Sequence, residues 1–150
     1  MRAVIQRTTG ATVKIDGNIV GEIGTGFVIL LGIGLEDSEE DAMLLADKCT
    51  GLRIFEDENE KMNLSLSQVN GQLLVISNFT LYADCRQRRP SFSNAARPEQ
   101  AVPLYERFIT ECRDKGFEVQ TGEFGADMKL SVLNDGPVTL IIDTKDFKKQ

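Results

Sequence analysis

Leu73-Leu74-Val75-Ile76-Ser77-Asn78-Phe79-Thr80-Leu81 decides how the rest of the chain is read. Period-two alternation puts Leu74, Ile76, Asn78 and Thr80 on one face of a strand and Val75, Ser77, Phe79 and Leu81 on the other. Both faces of the first half are apolar, which marks a central strand. Polar groups gather only at its C-terminal end. They read either as a strand emerging into solvent, where Ser and Thr are ordinary, or as the wall of a site, and spacing alone does not separate the two.

Outward from that strand, Phe27 to Ile33 is continuously apolar and predicts a second strand buried on both faces. Towards the N-terminus, Ala3, Ile5 and Arg7 alternate with Val4, Gln6 and Thr8. Val13-Lys14-Ile15 and Ile19 to Ile23 flank Asp16-Gly17, a strong hairpin signal. Asp37 or Ser38 caps a helix carrying Ala42, Leu45, Ala46, Cys49 and Leu52 at helical spacing. A second helix spans about Pro98 to Lys115, with Ala101, Leu104, Tyr105, Phe108 and Cys112 as its buried stripe and Gly116 as its stop. Pro103 predicts a late start or a small kink. Phe117 to Thr121, Met128 to Leu133 and Val138 to Asp143 read as further strands, and the polar tail 144–150 as frayed. The 150 residues make one α/β domain, 1–150, large enough for a core without disulfides.

Composition excludes several chemistries. The chain has no histidine, so neither a Ser-His-Asp nor a Cys-His system can be built, nor a histidine-ligated metal site. Cys49, Cys85 and Cys112 are odd in number and show no C-x-x-C spacing, which suits a reduced cytoplasmic compartment. No metal and no cofactor is expected. The start Met1-Arg2-Ala3-Val4 lacks a signal-peptide layout, and no apolar run is long enough to cross a bilayer. A net charge of −6 argues against broad binding to DNA or any nucleic-acid backbone. A local basic patch remains in Arg86, Arg88 and Arg89, with Arg97 nearby. Its bland reading is a solvated loop that pairs with the acidic segment Glu56 to Glu60.

Gly136-Pro137-Val138-Thr139 stands between two strand-like runs. A Gly-Pro pair offers a ligand mostly backbone atoms. By itself it reads as a hairpin turn.

In order along the chain, Ser77-Asn78-Phe79-Thr80-Leu81, Arg89-Pro90-Ser91-Phe92-Ser93, Thr121-Gly122-Glu123-Phe124-Gly125-Ala126-Asp127-Met128 and Asn134-Asp135-Gly136-Pro137-Val138-Thr139 resemble the D-aminoacyl-tRNA deacylases. The start Met1 to Arg7 and the segment Leu52 to Asp57 match as well, so the resemblance covers residues 1–143. The strand motif of that family usually reads Ser-Gln-x-Thr-Leu, and Asn78 stands where the glutamine would be. A sister family acting on mischarged L-aminoacyl-tRNA has Pro at the position of Ser77 and Ala at that of Phe79.

The resemblance implies a compact, homodimeric domain with an antiparallel-rich, β-barrel-like sheet and two main helices. It implies hydrolysis of the ester of D-aminoacyl-tRNA, and of glycyl-tRNA mischarged on tRNA(Ala), as chiral proofreading in translation. Gly136-Pro137 of one subunit, in the cis form, would enter the site of the other, facing Ser77, Phe79 and Thr80, with Arg7 holding the dipeptide. Asn78 and Phe124 join the expected substrate contacts, Phe79 or Phe124 stacking on adenine and Arg88 or Arg89 meeting acceptor-strand phosphates. An aminoacyl ester is already activated, so an oxyanion donor near Phe79 or Thr80 and the substrate's own ribose hydroxyl suffice without a strong base. Thr80 as a covalent nucleophile is the competing mechanism. Two other functions stay open: a non-catalytic module binding the tRNA acceptor end, and a deacylase for L-misacylated tRNA.

Overall fold

The computed structural model describes residues 1–148 of the chain. Its spine is β1 (Arg2–Ile15), followed by β2 (Asn18–Ile23) and β3 (Gly26–Gly32). Asp16 and Gly17, at φ 50° and 80°, make the hairpin between β1 and β2 that an Asp-Gly pair favours. After helix α1 (Glu39–Thr50) come a small ribbon of β4 (Phe55–Glu56) and β5 (Met62–Leu64), and then β6 (Gln72–Ser77). Helix α2 (Pro98–Asp114), β7 (Val119–Thr121) and β8 (Lys129–Asp143) complete the domain.

One six-stranded sheet runs β2-β1-β3-β6-β7, and β8 pairs with the other side of β1. The pairings made by β1 are antiparallel, whereas β3 with β6 and β6 with β7 are parallel. The sheet curls until β2 approaches β7. A Cβ on Gly21 would lie 2.9 Å from the carbonyl oxygen of Thr121, so the near closure of the barrel depends on a residue without a side chain there.

Both helices cover one face of the sheet. Leu45 and Cys49 of α1 and Phe108 and Cys112 of α2 meet Ile5, Phe27, Ile29 and Val75 in the main core. The other face of the same strands points into the barrel, where Val28, Leu74 and Ile76 pack with Val13 and Ile23. Thus β3 and β6 are buried on both sides, as their continuous apolar runs predict. The Ser38 backbone N–H donates to Asp41 Oδ2 at 2.9 Å and sets the start of α1.

Three expectations need correction. Helix α2 starts at Pro98 and continues through Pro103, so of the two outcomes expected at Pro103 the late start is overturned; Pro103 is exposed, and its missing N–H falls on the wet side. The two runs read as separate strands, Met128–Leu133 and Val138–Asp143, form one strand, β8, from Lys129 onward, because pairing with β1 resumes beyond the Gly-Pro pair. The tail does not fray at Thr144: residues Thr144–Phe147 form a 3-10 turn, and Thr144 is fully buried. The Thr144 N–H donates to the Met1 carbonyl at 2.9 Å, and Lys148 Nζ lies 2.8 Å from Asp41 Oδ1. Polar composition concealed these long-range partners. Lys149 and Gln150 lie outside the described residues.

Candidate active site

Strand β6 stops at Ser77, where the Asn78 N–H makes a last bond to the Leu31 carbonyl at 2.8 Å. The chain then tightens into a 3-10 turn, Phe79–Tyr82, so the two-face alternation expected through Leu81 ends four residues early. The cause is Asn78. Its Oδ1 accepts from the Thr80 N–H at 3.2 Å and from the Thr80 hydroxyl, a local side-chain cap that competes with continued sheet. The Phe79 N–H, by contrast, donates to no acceptor among the described residues.

A cleft of about 510 Å³ opens at this turn. Ser77 to Thr80 form one wall and the turn Phe124 to Met128 the opposite one, over an aliphatic floor of Leu30, Ile76 and Leu130. Phe124 leans on Tyr105, with ring centroids 6.2 Å apart, and the Tyr105 hydroxyl donates to the Val75 carbonyl at 2.8 Å. Burial pushes the Tyr105 phenol up to about 12, so this brace keeps its proton at neutral pH. At the mouth Phe79 is 56% exposed and meets the Phe92 ring edge-on, with centroids 5.1 Å apart. The carboxylate on the lining is that of Asp127, which lies 3.4 Å from Lys129 Nζ. The site therefore offers donors, an aromatic mouth and an apolar floor. It offers little for acid-base catalysis.

Gly136 and Pro137 sit elsewhere, on an excursion of β8. Gln6 pairs with Thr139 and Thr8 with Asn134, so Asp135, Gly136, Pro137 and Val138 stand opposite Arg7 alone. Asn134 closes the excursion: its amide donates to Thr139 Oγ1 at 2.8 Å and its Oδ1 accepts from the Val138 N–H at 3.1 Å. Arg7, almost wholly buried, supports it from below. Its Nε donates to the Asp135 carbonyl at 3.2 Å and its Nη1 to the Ile54 carbonyl at 2.7 Å, with the carboxylates of Asp135 and Glu56 at 3.4 and 3.8 Å. The Gly136-Pro137 peptide is cis. Gly136 has φ 124°, and a Cβ there would lie 2.8 Å from Val138 Cγ2 and 3.1 Å from Arg7 Nη2.

Of the residues singled out from sequence, the structure gathers Ser77, Asn78, Phe79, Thr80 and Phe124 around one cleft. It gathers Arg7, Gly136 and Pro137 around the excursion, and none of these three lines the cleft of its own chain. Sequence reasoning missed Phe92 as the partner of Phe79, and Asn134 as the closing side chain; a polar amide four residues before a valine carries no such signal. It also misassigned the basic loop. Arg86 pairs with Asp84, its Nε 2.9 Å from each carboxylate oxygen, and the acidic residue Glu56 faces Arg7 instead. Asp84 is near in sequence, so the short-range pair forms at little entropic cost.

Among the described residues, no group of three or more Cys, Asp or Glu side chains is placed to hold a metal ion, and no helix is long and apolar enough to cross a membrane. A donor-lined, base-poor cleft at a strand end suits the hydrolysis of an ester that is already activated. The model of the family described as D-Tyr-tRNA(Tyr) deacylase matches residues 4–143. Curated relatives called D-aminoacyl-tRNA deacylase include that of Thermosipho africanus, 55% identical over 97% of this chain and 98% of its own. That of Thermus aquaticus is 56% identical over 97% of each chain. Among solved structures, the c-Myc DNA unwinding element binding protein superimposes with a TM-score of 0.90 at 36% identity, over 95% of this chain and 98% of its own. A probable eukaryotic D-amino acid tRNA deacylase shares the fold, with a TM-score of 0.78 at 18% identity over 94% and 97% of the two chains. The chain belongs to the D-Tyr-tRNA(Tyr) deacylase family. It is an enzyme, a carboxylic ester hydrolase of the D-aminoacyl-tRNA deacylase type.

Proposed function

We propose that this enzyme works in the cytoplasm as a homodimer, hydrolysing the ester between the terminal adenosine of tRNA and a D-amino acid, or glycine mischarged on tRNA(Ala). One observation carries the reading: the strand-end cleft has an unengaged Phe79 N–H at its lip, and a braced Gly-Pro excursion stands outside that cleft on the same chain. Each is half of a site. The outer edge of β8 pairs with no strand among the described residues and presents exposed Leu133 and Ile141 on either side of the excursion, a surface suited to a second copy.

The chemistry follows from these groups. The terminal adenosine enters with its base against Phe79 or Phe124, and the ester carbonyl oxygen lies at the Phe79 N–H. Water adds to the carbonyl carbon, assisted by the neighbouring ribose hydroxyl. The developing oxyanion is held by the N–H, and the bond to the ribose oxygen then breaks to release free amino acid and tRNA. A single such donor contributes about 10²–10³ in rate. The Thr80 hydroxyl donates to Asn78 Oδ1, an amide oxygen that is no base, which favours a positioning role for Thr80 over nucleophilic attack. Backbone carbonyls of the partner's Gly136 and Pro137 exclude L-isomers, while the D side chain points outward unread. Selection by chirality alone then serves many amino acids.

Incubation with D-tyrosyl-, L-tyrosyl- and glycyl-tRNA tests this. The expected outcome is release of D-tyrosine and glycine, L-tyrosyl-tRNA left intact, and no change in excess EDTA. Binding of tRNA without turnover would mean a non-catalytic module. Release of L-tyrosine would mean a deacylase for L-misacylated tRNA, and a loss in EDTA restored by zinc would put the chemistry on a metal.

A further inference from the structure

The loop between Asp84 and Ser91 carries the densest positive charge of an otherwise acidic chain, and it is held out from the body at a fixed place. Its base is a two-bond bridge: the Asp84 N–H donates to the Ser91 carbonyl at 2.7 Å and the Ser91 N–H to the Asp84 carbonyl at 3.0 Å. Every residue from Cys85 to Pro90 is exposed. Within the loop the arginines divide into two kinds. Arg86 folds back on Asp84 and is neutralised there, which lowers the Asp84 carboxyl below its usual range. Arg88 and Arg89 have no carboxylate within ion-pair distance among the described residues, although the chain carries 23 acidic side chains against 17 basic ones. A dent of about 210 Å³ lies beside them, lined by Asp84, Arg86, Gln87, Arg89 and Ser91.

Location adds what charge alone does not. Ser91 runs directly into Phe92, and the Phe92 ring touches Phe79 at the mouth of the cleft. The chain therefore runs from the loop carrying the two unpaired guanidinium groups through Ser91 directly to the mouth of the cleft. Arginine, with its planar fork of donors, suits phosphate oxygens better than a point charge does.

We propose that the Cys85–Pro90 loop, through Arg88 and Arg89, is the docking surface for the phosphate backbone of the tRNA acceptor end; this rests on the deacylase reading above. The loop acts on the backbone only, without reading sequence, and it supplies a local attraction that the net charge of −6 otherwise denies an RNA ligand.

The test compares the wild type with the double variant Arg88→Gln/Arg89→Gln on two esters, D-tyrosyl-tRNA and D-tyrosyl-adenosine, the second lacking the phosphate chain. On D-tyrosyl-adenosine the two proteins should have equal kcat/KM. On D-tyrosyl-tRNA the variant should show a KM raised on the order of tenfold at low salt, with kcat retained. The slope of log(kcat/KM) against log[KCl] should be shallower by about 1.4–1.8, the expectation for two lost phosphate contacts. The paired control Lys14→Gln/Lys61→Gln removes equal charge elsewhere and should leave the slope as it is. An equal loss on both esters would make the loop a part of the cleft, and an unchanged KM and slope on tRNA would move the docking surface elsewhere; either result overturns the proposal. The same salt series on binding of uncharged tRNA reads the docking surface even if neither ester is hydrolysed, an outcome that would break the deacylase reading alone.

Discussion

Two strands of this molecule leave regular pairing, and each does so with an asparagine. At the end of β6, Asn78 Oδ1 takes the Thr80 N–H and converts the strand into a 3-10 turn. In the middle of β8, Asn134 Oδ1 takes the Val138 N–H and closes an excursion that lets pairing resume at Thr139. The local device is the same, but the surroundings differ. The turn after Asn78 lines a cleft of its own chain, shared with Phe124 and Met128 over an aliphatic floor. The excursion after Asn134 is braced only from below, by Arg7, and its Gly136 and Pro137 face outward. One is a receptacle; the other, in the proposed function, is a presenter, and among the described residues it lines no part of that receptacle. Under the proposed function, these two halves form one site where two copies of the chain meet.

The comparison breaks most severely at Gly136. A methyl group at φ 124° strains the backbone and meets Val138 Cγ2 and Arg7 Nη2. Gly136→Ala should therefore shift the outward carbonyls while leaving the sheet on either side intact. We expect D-tyrosyl-tRNA turnover to fall by about 10²-fold, the scale of a misplaced positioning group, and the D-to-L rate ratio to collapse, with folding retained by circular dichroism. An unchanged ratio would remove the excursion from chiral selection.

The receptacle should be the more tolerant half. Thr80→Ala removes a hydroxyl that donates to Asn78, but it leaves the Phe79 N–H and the Thr80 N–H cap in place. Single-turnover kinetics should show a loss below tenfold, consistent with a role in positioning alone. Complete inactivation with normal substrate binding, or a trapped acyl-threonine, would make Thr80 the nucleophile.

Much of this architecture is legible in the sequence, for physical reasons that also explain the rest. The double-sided apolar runs of β3 and β6, the Asp-Gly hairpin and the helix stripes are local patterns with one stable solution and fold as read, except that Leu52 lies beyond the end of α1 at Thr50. The gathering of Ser77 to Thr80 with Phe124 is legible only through the family resemblance, since nothing local links the two segments. What escaped depends on partners remote in sequence. Thr144 is ordered by Met1, the excursion by Arg7 reaching Asp135 and Ile54, and the mouth of the cleft by Phe92 packing on Phe79. The early end of β6 escaped for the opposite reason. Asn78 competes with the sheet through a contact only two residues long, which period-two counting does not weigh.

Complementation between two disabled chains tests the divided site most directly. One chain carries Gly136→Ala and keeps an open cleft; the other carries Ala126→Trp, which fills the cleft, and keeps its excursion. Alone on D-tyrosyl-tRNA, the Gly136→Ala homodimer should keep only about one hundredth of wild-type activity, as predicted above, and the Ala126→Trp homodimer should be inactive. Equal co-expression with random pairing should restore about one quarter of wild-type activity per chain, because about half the dimers are mixed and each mixed dimer holds one intact composite site. If purified mixed dimers recover nothing, the cleft and the excursion do not meet across two chains, and the account of a shared site is wrong.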